Sequence, residues 1–294
     1  MKYFTKKETK RKTLAGNLCF IAALLLLFNT CCIKTDAATQ GGNIDSIKLS
    51  TAMADQTTMS VSVSAKRDYT KAYQVLSLVN KKRKAAGVGT LVMDKDLLET
   101  AMLRAAECSI VPNHIRPNGE ICYYADEKMY GENVSFDFTT ASSVMKDWME
   151  SPIHKFNILN SSYVSIGIGC VKVNNRVYWV QCFGCENVDK AAKSSYKNKT
   201  VAQTIEASPS SGLFKIKASA GKKTLSVGKK TTIAYKCGSA TILSRSLKYK
   251  SSNTSVCKVN AKGKVTALKK GTATITVYPS NCSGAAKKVK IKVK

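Results

Sequence analysis

The chain closes on a strict alternation in which Val289, Ile291 and Val293 are interleaved with Lys288, Lys290, Lys292 and Lys294. Successive side chains of a strand point to opposite faces, so this run reads as a half-buried β-strand with its apolar residues inward and its lysines in water. The residues before it follow the same rule. Ile233, Tyr235 and Cys237 alternate, Val265 and Ala267 follow a Lys262-Gly263 turn, and residues 272–277 supply another strand. Short strands with one apolar face predict an all-β sandwich.

The preceding half has a different period. Ala72, Val75, Leu76 and Val79 recur at helical spacing until Gly87. Asp94 is placed to cap a second helix with a buried stripe of Leu97, Ala101, Ala105 and Cys108, and Thr140 a third with Ala141, Val144, Met145 and Trp148, ended by Pro152. Two strands, 163–173 and 176–183, meet at Asn174-Asn175, a pair that tolerates the positive φ of a tight hairpin. The fold class is therefore α+β with an antiparallel sheet, followed by the all-β module. A chain of 294 residues has room for both.

Composition sets the boundaries. Lys2, Lys6, Lys7, Lys10, Arg11 and Lys12 precede an apolar run from Leu14 to Phe28, and small residues follow up to Ala37. That is the form of a cleavable secretory signal, and the run is shorter than the roughly 20 apolar residues of a membrane span. Residues 38–65, rich in Ser, Thr, Ala and Gln, read as a flexible spacer, and 189–212 as a linker. The expected organisation is signal 1–37, spacer 38–65, first domain 66–188, linker 189–212 and second domain 213–294. Export permits disulfides among the eight cysteines beyond the signal, of which Cys182 and Cys185 have redox-dipeptide spacing but no helix to lower a thiol pKa. With Asn174-Asn175 as the turn, Cys170 faces Trp179 and Cys182 faces Gly167, so those two thiols do not oppose each other.

Charge is as uneven as period. Residues 212–294 hold 20 Lys and Arg with no Asp or Glu, whereas 66–188 hold 15 against 13. A field of that kind attracts polyanions in general. The expected partner is an anionic cell-wall polymer or another surface polyanion, met by Lys288, Lys290, Lys292 and Lys294, with no specific nucleic acid. Some of these lysines also serve to keep exposed strands from pairing with other chains.

Two histidines stand in distinctive surroundings: His114 in NHIRPNGE and His154 in WMESPIHKFNIL, with YGENV between them. With LVNKKRKAAGVGTLVMDKDLLETA before and YVSIGIGC and YWVQ after, residues 69–184 resemble the bacterial branch of the CAP superfamily of cysteine-rich secretory, antigen-five and pathogenesis-related proteins. The resemblance implies an α-β-α sandwich and a cleft carrying His114, Glu132 of GEN and His154. Two imidazoles and a carboxylate suit Zn²⁺ with an open position for water. Ser151 and Val177-Tyr178 stand where animal and plant members have a further glutamate and histidine, so their full tetrad is absent. A bracing role for Glu132 and His154, with no ligand, remains open beside this. From residue 213 onward, TLSVGKKTTIAY and YKSSNTSVCKVNAKGKVTALKKGTATITV resemble a group two bacterial immunoglobulin-like domain, with Tyr249 at the usual tryptophan position.

No Ser/His/Asp set with a nucleophile motif is present. The expected function is a secreted, surface- or wall-associated protein whose cleft binds a wall, lipid, peptide or surface ligand and whose basic module attaches it. The alternatives are a metal-dependent hydrolase acting on peptidoglycan or peptide, and a non-catalytic spacer or signalling protein. Trp148, Tyr178 and Trp179 could form an aromatic platform, although Trp148 sits on an apolar helix face, and Tyr123 and Tyr124 are the better surface aromatics.

Overall fold

The computed structural model describes residues 58–294; the expected signal 1–37 lies outside the described residues. In chain order the first domain comprises β1 (Met59–Arg67), α1 (Tyr69–Ala85), β2 (Val92–Met93), α2 (Lys95–Glu107), β3 (Gly131–Phe136), α3 (Ala141–Glu150), α4 (Pro152–Leu159), β4 (Ser165–Val173), β5 (Arg176–Gly184) and β6 (Lys199–Ala207). The second comprises β7 (Ile216–Ala220), β8 (Thr224–Leu225), β9 (Lys230–Cys237), β10 (Ala240–Thr241), β11 (Leu247–Ser251), β12 (Cys257–Val259), β13 (Lys264–Ala267), β14 (Gly271–Pro279) and β15 (Lys287–Val293).

Local chemistry sets the helix ends. The Asp94 carboxylate accepts hydrogen bonds from the Asp96 and Leu97 amides at the start of α2, and the Thr140 hydroxyl accepts from Ser143 at the start of α3. Asn174 and Asn175 take φ of 49° and 68°, the left-handed pair of a two-residue hairpin turn. The stripes expected on α2 and α3 are buried. Helix α4 is not among the expected elements: Pro152 ends α3 but also opens a new helix as its first residue, so His154 lies on a helix.

The sheet of the first domain runs β3-β5-β4-β1-β6, with β2 added in parallel to β4. Helix α2 crosses β4 so closely that a Cβ on Gly167 or Gly169 would strike the carbonyl of Leu97 or Ala101. The two glycines of YVSIGIGC are thus what let this helix lie on the sheet. Cys170 pairs with Trp179 and Cys182 with Gly167 in the β4–β5 register, which keeps the two thiols off opposed positions.

Two expectations need correction. The spacer does not extend to residue 65, because Met59–Arg67 is a strand held between β4 and β6. Nor is 189–212 an open linker, since Lys199–Ala207 pairs with β1 over nine consecutive positions. The serines of Met-Ser-Val-Ser-Val-Ser-Ala suggest flexibility, but they alternate with Met59, Val61, Val63 and Ala65, which are fully buried. Composition misleads where period 2 does not. Of the eight cysteines for which export permits disulfides, Cys108, Cys122, Cys170, Cys182, Cys237, Cys257 and Cys282 are free, buried thiols packed in the cores, whereas Cys185 is disulfide-bonded.

The second domain stacks β10-β9-β13-β12, with β7 on β9, against β11-β14-β15-β8. Its inner residues include Tyr235, Cys257, Ile275 and Ile291. It is seated on the first domain through β1: Leu243 donates its amide to the Ser62 carbonyl at 2.7 Å, and Ile242 bridges Val63. Ser239, in the turn before β10, donates to the Ser109 carbonyl at 2.6 Å and meets the Tyr178 hydroxyl at 3.0 Å.

Candidate functional site

Arg104 projects from α2, Glu132 from β3, and His114 from the loop that α2 leads into. That loop is closed by the Cys122 amide donating to the His114 carbonyl at 2.8 Å. All three side chains converge. Arg104 grips the Glu132 carboxylate with Nε at 2.8 Å from Oε2 and Nη2 at 3.2 Å from Oε1, while His114 Nδ1 lies 2.8 Å from Oε1. The Glu132 side chain is 1 % exposed and that of Arg104 0 %.

Burial alone would favour the neutral acid at Glu132. The Arg104 charge and the hydrogen bonds from His114 and Arg104 outweigh it, and the carboxyl is held below its ordinary pKa. An ionised carboxylate only accepts, so His114 donates from Nδ1 and Nε2 keeps the ring's free lone pair when the imidazole is neutral. Arg104 also reaches Glu107 at 2.6 Å, and Arg116 pairs with the same Glu107 at 2.9 Å and with Glu120 at 2.8 Å. Every buried charge here has an opposite partner.

His154 enters from α4. Its backbone carbonyl accepts from Asn133 Nδ2 at 3.0 Å; Asn133 also donates to Gln181 Oε1 at 2.9 Å and accepts from Asn157 Nδ2 at 2.9 Å. These contacts give the asparagine of GEN, the asparagine of HKFN and the glutamine of YWVQ one purpose, to lock α4 onto β3 and β5. The imidazole is pushed toward its neutral form by burial first and by the charge of neighbouring His114 second, with Asp147 opposing. Its Nδ1 is buried with no hydrogen-bond partner.

Of the expected trio, His114 and Glu132 touch, and His154 is close enough to feel the His114 charge but makes no hydrogen bond to either. The residue that joins His114 and Glu132 is Cys122, all three offering ligand atoms within 4.8 Å of one another. This set does not suit Zn²⁺. Both Glu132 oxygens are already held by a guanidinium, and burial, with Glu132 nearby, pushes the Cys122 thiol pKa up, so a metal would have to displace Arg104 and take the thiol's proton. Arg104, Glu107 and Arg116 are not among the expected site residues; a helical residue pair at i, i+3 with opposite charge, Arg104 and Glu107, was the available signal. The aromatic platform is absent, since Trp148 and Trp179 are fully buried and meet edge to face at 6.5 Å. Tyr124 is 75 % exposed.

Residues 76–183 match the cysteine-rich secretory protein family, CAP, and residues 213–290 match the group 2 bacterial Ig-like domain. The chain carries a CAP domain followed by a bacterial Ig-like domain. Over 159 residues it is 30 % identical to the uncharacterized protein YkwD of Bacillus subtilis (strain 168), a match covering 51 % of this chain and 59 % of that one. The chain thus spans less than two thirds of that relative. An extracellular SCP-domain protein from Bacillus anthracis is 18 % identical, with 40 % of each chain covered and a TM-score of 0.36. An outer surface protein from Borrelia burgdorferi is 21 % identical, covering 42 % of this chain and 98 % of its own, with a TM-score of 0.35. Among the described residues no helix is long and apolar enough to cross a membrane.

Proposed function

We propose that this is an exported surface protein in which the Ig-like domain attaches to an anionic wall polymer and the CAP cleft binds a ligand without turning it over. The observation that carries this function is the charge of the second domain: 20 Lys and Arg without one acid, and no ion pair to any of those lysines among the described residues. Such charges are free to meet an external polyanion. The contrast with the nearly balanced CAP domain predicts a division of labour between the two.

In the cleft, Glu132 argues against hydrolysis. A general base must accept a proton, and a buried carboxylate held by a bidentate arginine has its basicity lowered. The His114 side chain is 36 % exposed, and with Nδ1 committed to Glu132 its Nε2 offers hydrogen-bonding capacity to a polar ligand. A metal-dependent hydrolase draws support from the rings of His114 and His154, but it lacks a free carboxylate.

Sedimentation of the protein with purified cell walls over a salt series tests the attachment. Exposed charges are screened within about 10 Å at 0.1 M salt and about 3 Å at 1 M, so retention should fall steeply as salt rises. Retention that is indifferent to salt would eliminate electrostatic attachment.

A further inference from the structure

The lysines of the Ig-like domain are not scattered evenly over its two sheets. On the outer face of β11-β14-β15, Lys250 pairs with Thr276, which pairs with Lys288; Lys290 and Lys292 face Thr274 and Thr272. Lys248 extends the β11 side, opposite Tyr278. Each of these five lysines is exposed, while Val289, Ile291 and Val293 point inward. The result is a row of three threonines with a lysine beside each on β15, and with Lys250 on the far side of Thr276 alone. Strands lie about 4.8 Å apart, so the two lysine rows are roughly 10 Å apart across the sheet, with lysines about 7 Å apart along each.

The other sheet is also basic, and Lys258, Thr266 and Lys230 pair across it in the same way, but it has no run of lysines along one strand. Lys230 and Lys236 are six residues apart on β9, Lys264 faces Thr232, and Lys217 is set directly against Lys236. No strand there carries two outward lysines at successive outward positions.

We infer that the β11-β14-β15 face is a binding track for a linear polyphosphodiester, with successive phosphates lying along the lysine row of β15. This rests on the electrostatic attachment proposed above and deepens it. Six bonds of about 1.5 Å separate phosphorus atoms across a three-carbon bridge, which places extended neighbours roughly 7 Å apart and in step with the lysines. Each diester carries one negative charge and two free oxygens, which can accept from a lysine and from the threonine hydroxyl beside it. Single exposed ion pairs are weak, so binding must come from many contacts along one chain. The central row is three threonines with one aromatic, Tyr278, at its end, so successive bases of a single-stranded nucleic acid would find no series of rings to stack on.

The test is calorimetric titration of the secreted protein with poly(glycerol phosphate), with glycerol phosphate monomer, with polygalacturonate and with single-stranded DNA, each at matched charge. Poly(glycerol phosphate) should bind tightest and the monomer without measurable heat. Three contacts along β15 at roughly 0.7 counterions each predict a loss of about 20-fold in affinity between 50 and 200 mM salt. Lys288→Glu with Lys290→Glu and Lys292→Glu should weaken binding about 100-fold, taking roughly fivefold per contact. The equally charged variant Lys230→Glu, Lys236→Glu, Lys264→Glu should lose less than about a tenth as much, and both leave the apolar faces intact. Equal losses in the two variants would overturn the track while leaving diffuse attachment standing. Tighter binding of DNA or polygalacturonate would overturn the polymer assignment, and wall retention with no binding of any soluble polymer would overturn the track as well.

Discussion

Replacing Arg104 by methionine would strip the Glu132–His114 cluster of its central cation while roughly preserving volume. Glu132 would keep only His114, and Glu107 only Arg116, in a site where the carboxylate side chains are 1 % exposed. Removing one partner of a buried ion pair costs about 3–5 kcal/mol, because the other charge stays buried without compensation. That is a large part of the roughly 5–15 kcal/mol that holds a domain folded. The pH dependence follows from signs. In the native protein Glu132 lies below its unfolded pKa, so its stabilisation is present above the unfolded value and lost as pH falls through the folded one. Without Arg104, burial raises Glu132 instead, and the penalty is largest at neutral pH and shrinks as acid protonates it. Urea unfolding of both proteins at pH 7 and pH 5 measures this, with Arg104→Met/Glu132→Gln as a companion that should lose less than the single change. A deficit under about 1 kcal/mol, or one equal at both pH values, would refute a charge-locked cluster.

Two further outcomes follow. The mature protein should begin near Ala38 and be found outside the membrane, and N-terminal sequencing of the extracellular fraction that returned residues 1–30 would count against export. Zn²⁺ titration should give no heat that His114→Ala and His154→Ala both abolish, because Glu132 is committed to Arg104; micromolar binding lost in both variants would restore the metal site.

The helices, the β4–β5 hairpin and its register were legible because each rests on a local rule: caps at Asp94 and Thr140, left-handed asparagines, a stripe at helical spacing. His114 and Glu132 were found through their motifs. Their surroundings were not, since Arg104 and Cys122 reach Glu132 across 28 and 10 residues and no local pattern encodes that meeting. Asn133 and Gln181 stood inside quoted motifs, yet their use as a clamp on α4 depends on three elements meeting in space. β1 was lost for the opposite reason, its serines hiding a readable alternation, and β6 because most of its residues are only partly buried and alternate weakly.

Neither family match reaches β1 or β6, yet these strands join the domains. β1 lies between β4 and β6 and also bonds the Ig-like domain, through Ser62 to Leu243 and Ser246 and through Ser60 to Asn281. A chain shortened to begin at Lys66 should therefore lose far more than a spacer. Met59, Val61 and Val63 are each fully buried, and at about 1.5–3 kcal/mol per side chain their removal costs roughly 5–9 kcal/mol before any hydrogen bond is counted. That approaches the whole stability of a domain. Heating the chain that begins at Ala38 should give a single cooperative transition for both domains, because β1 belongs to both. The chain that begins at Lys66 should melt much lower and in separate steps, with the β6 edge open to aggregation. Identical melting of the two chains would show that residues 59–65 are a spacer after all.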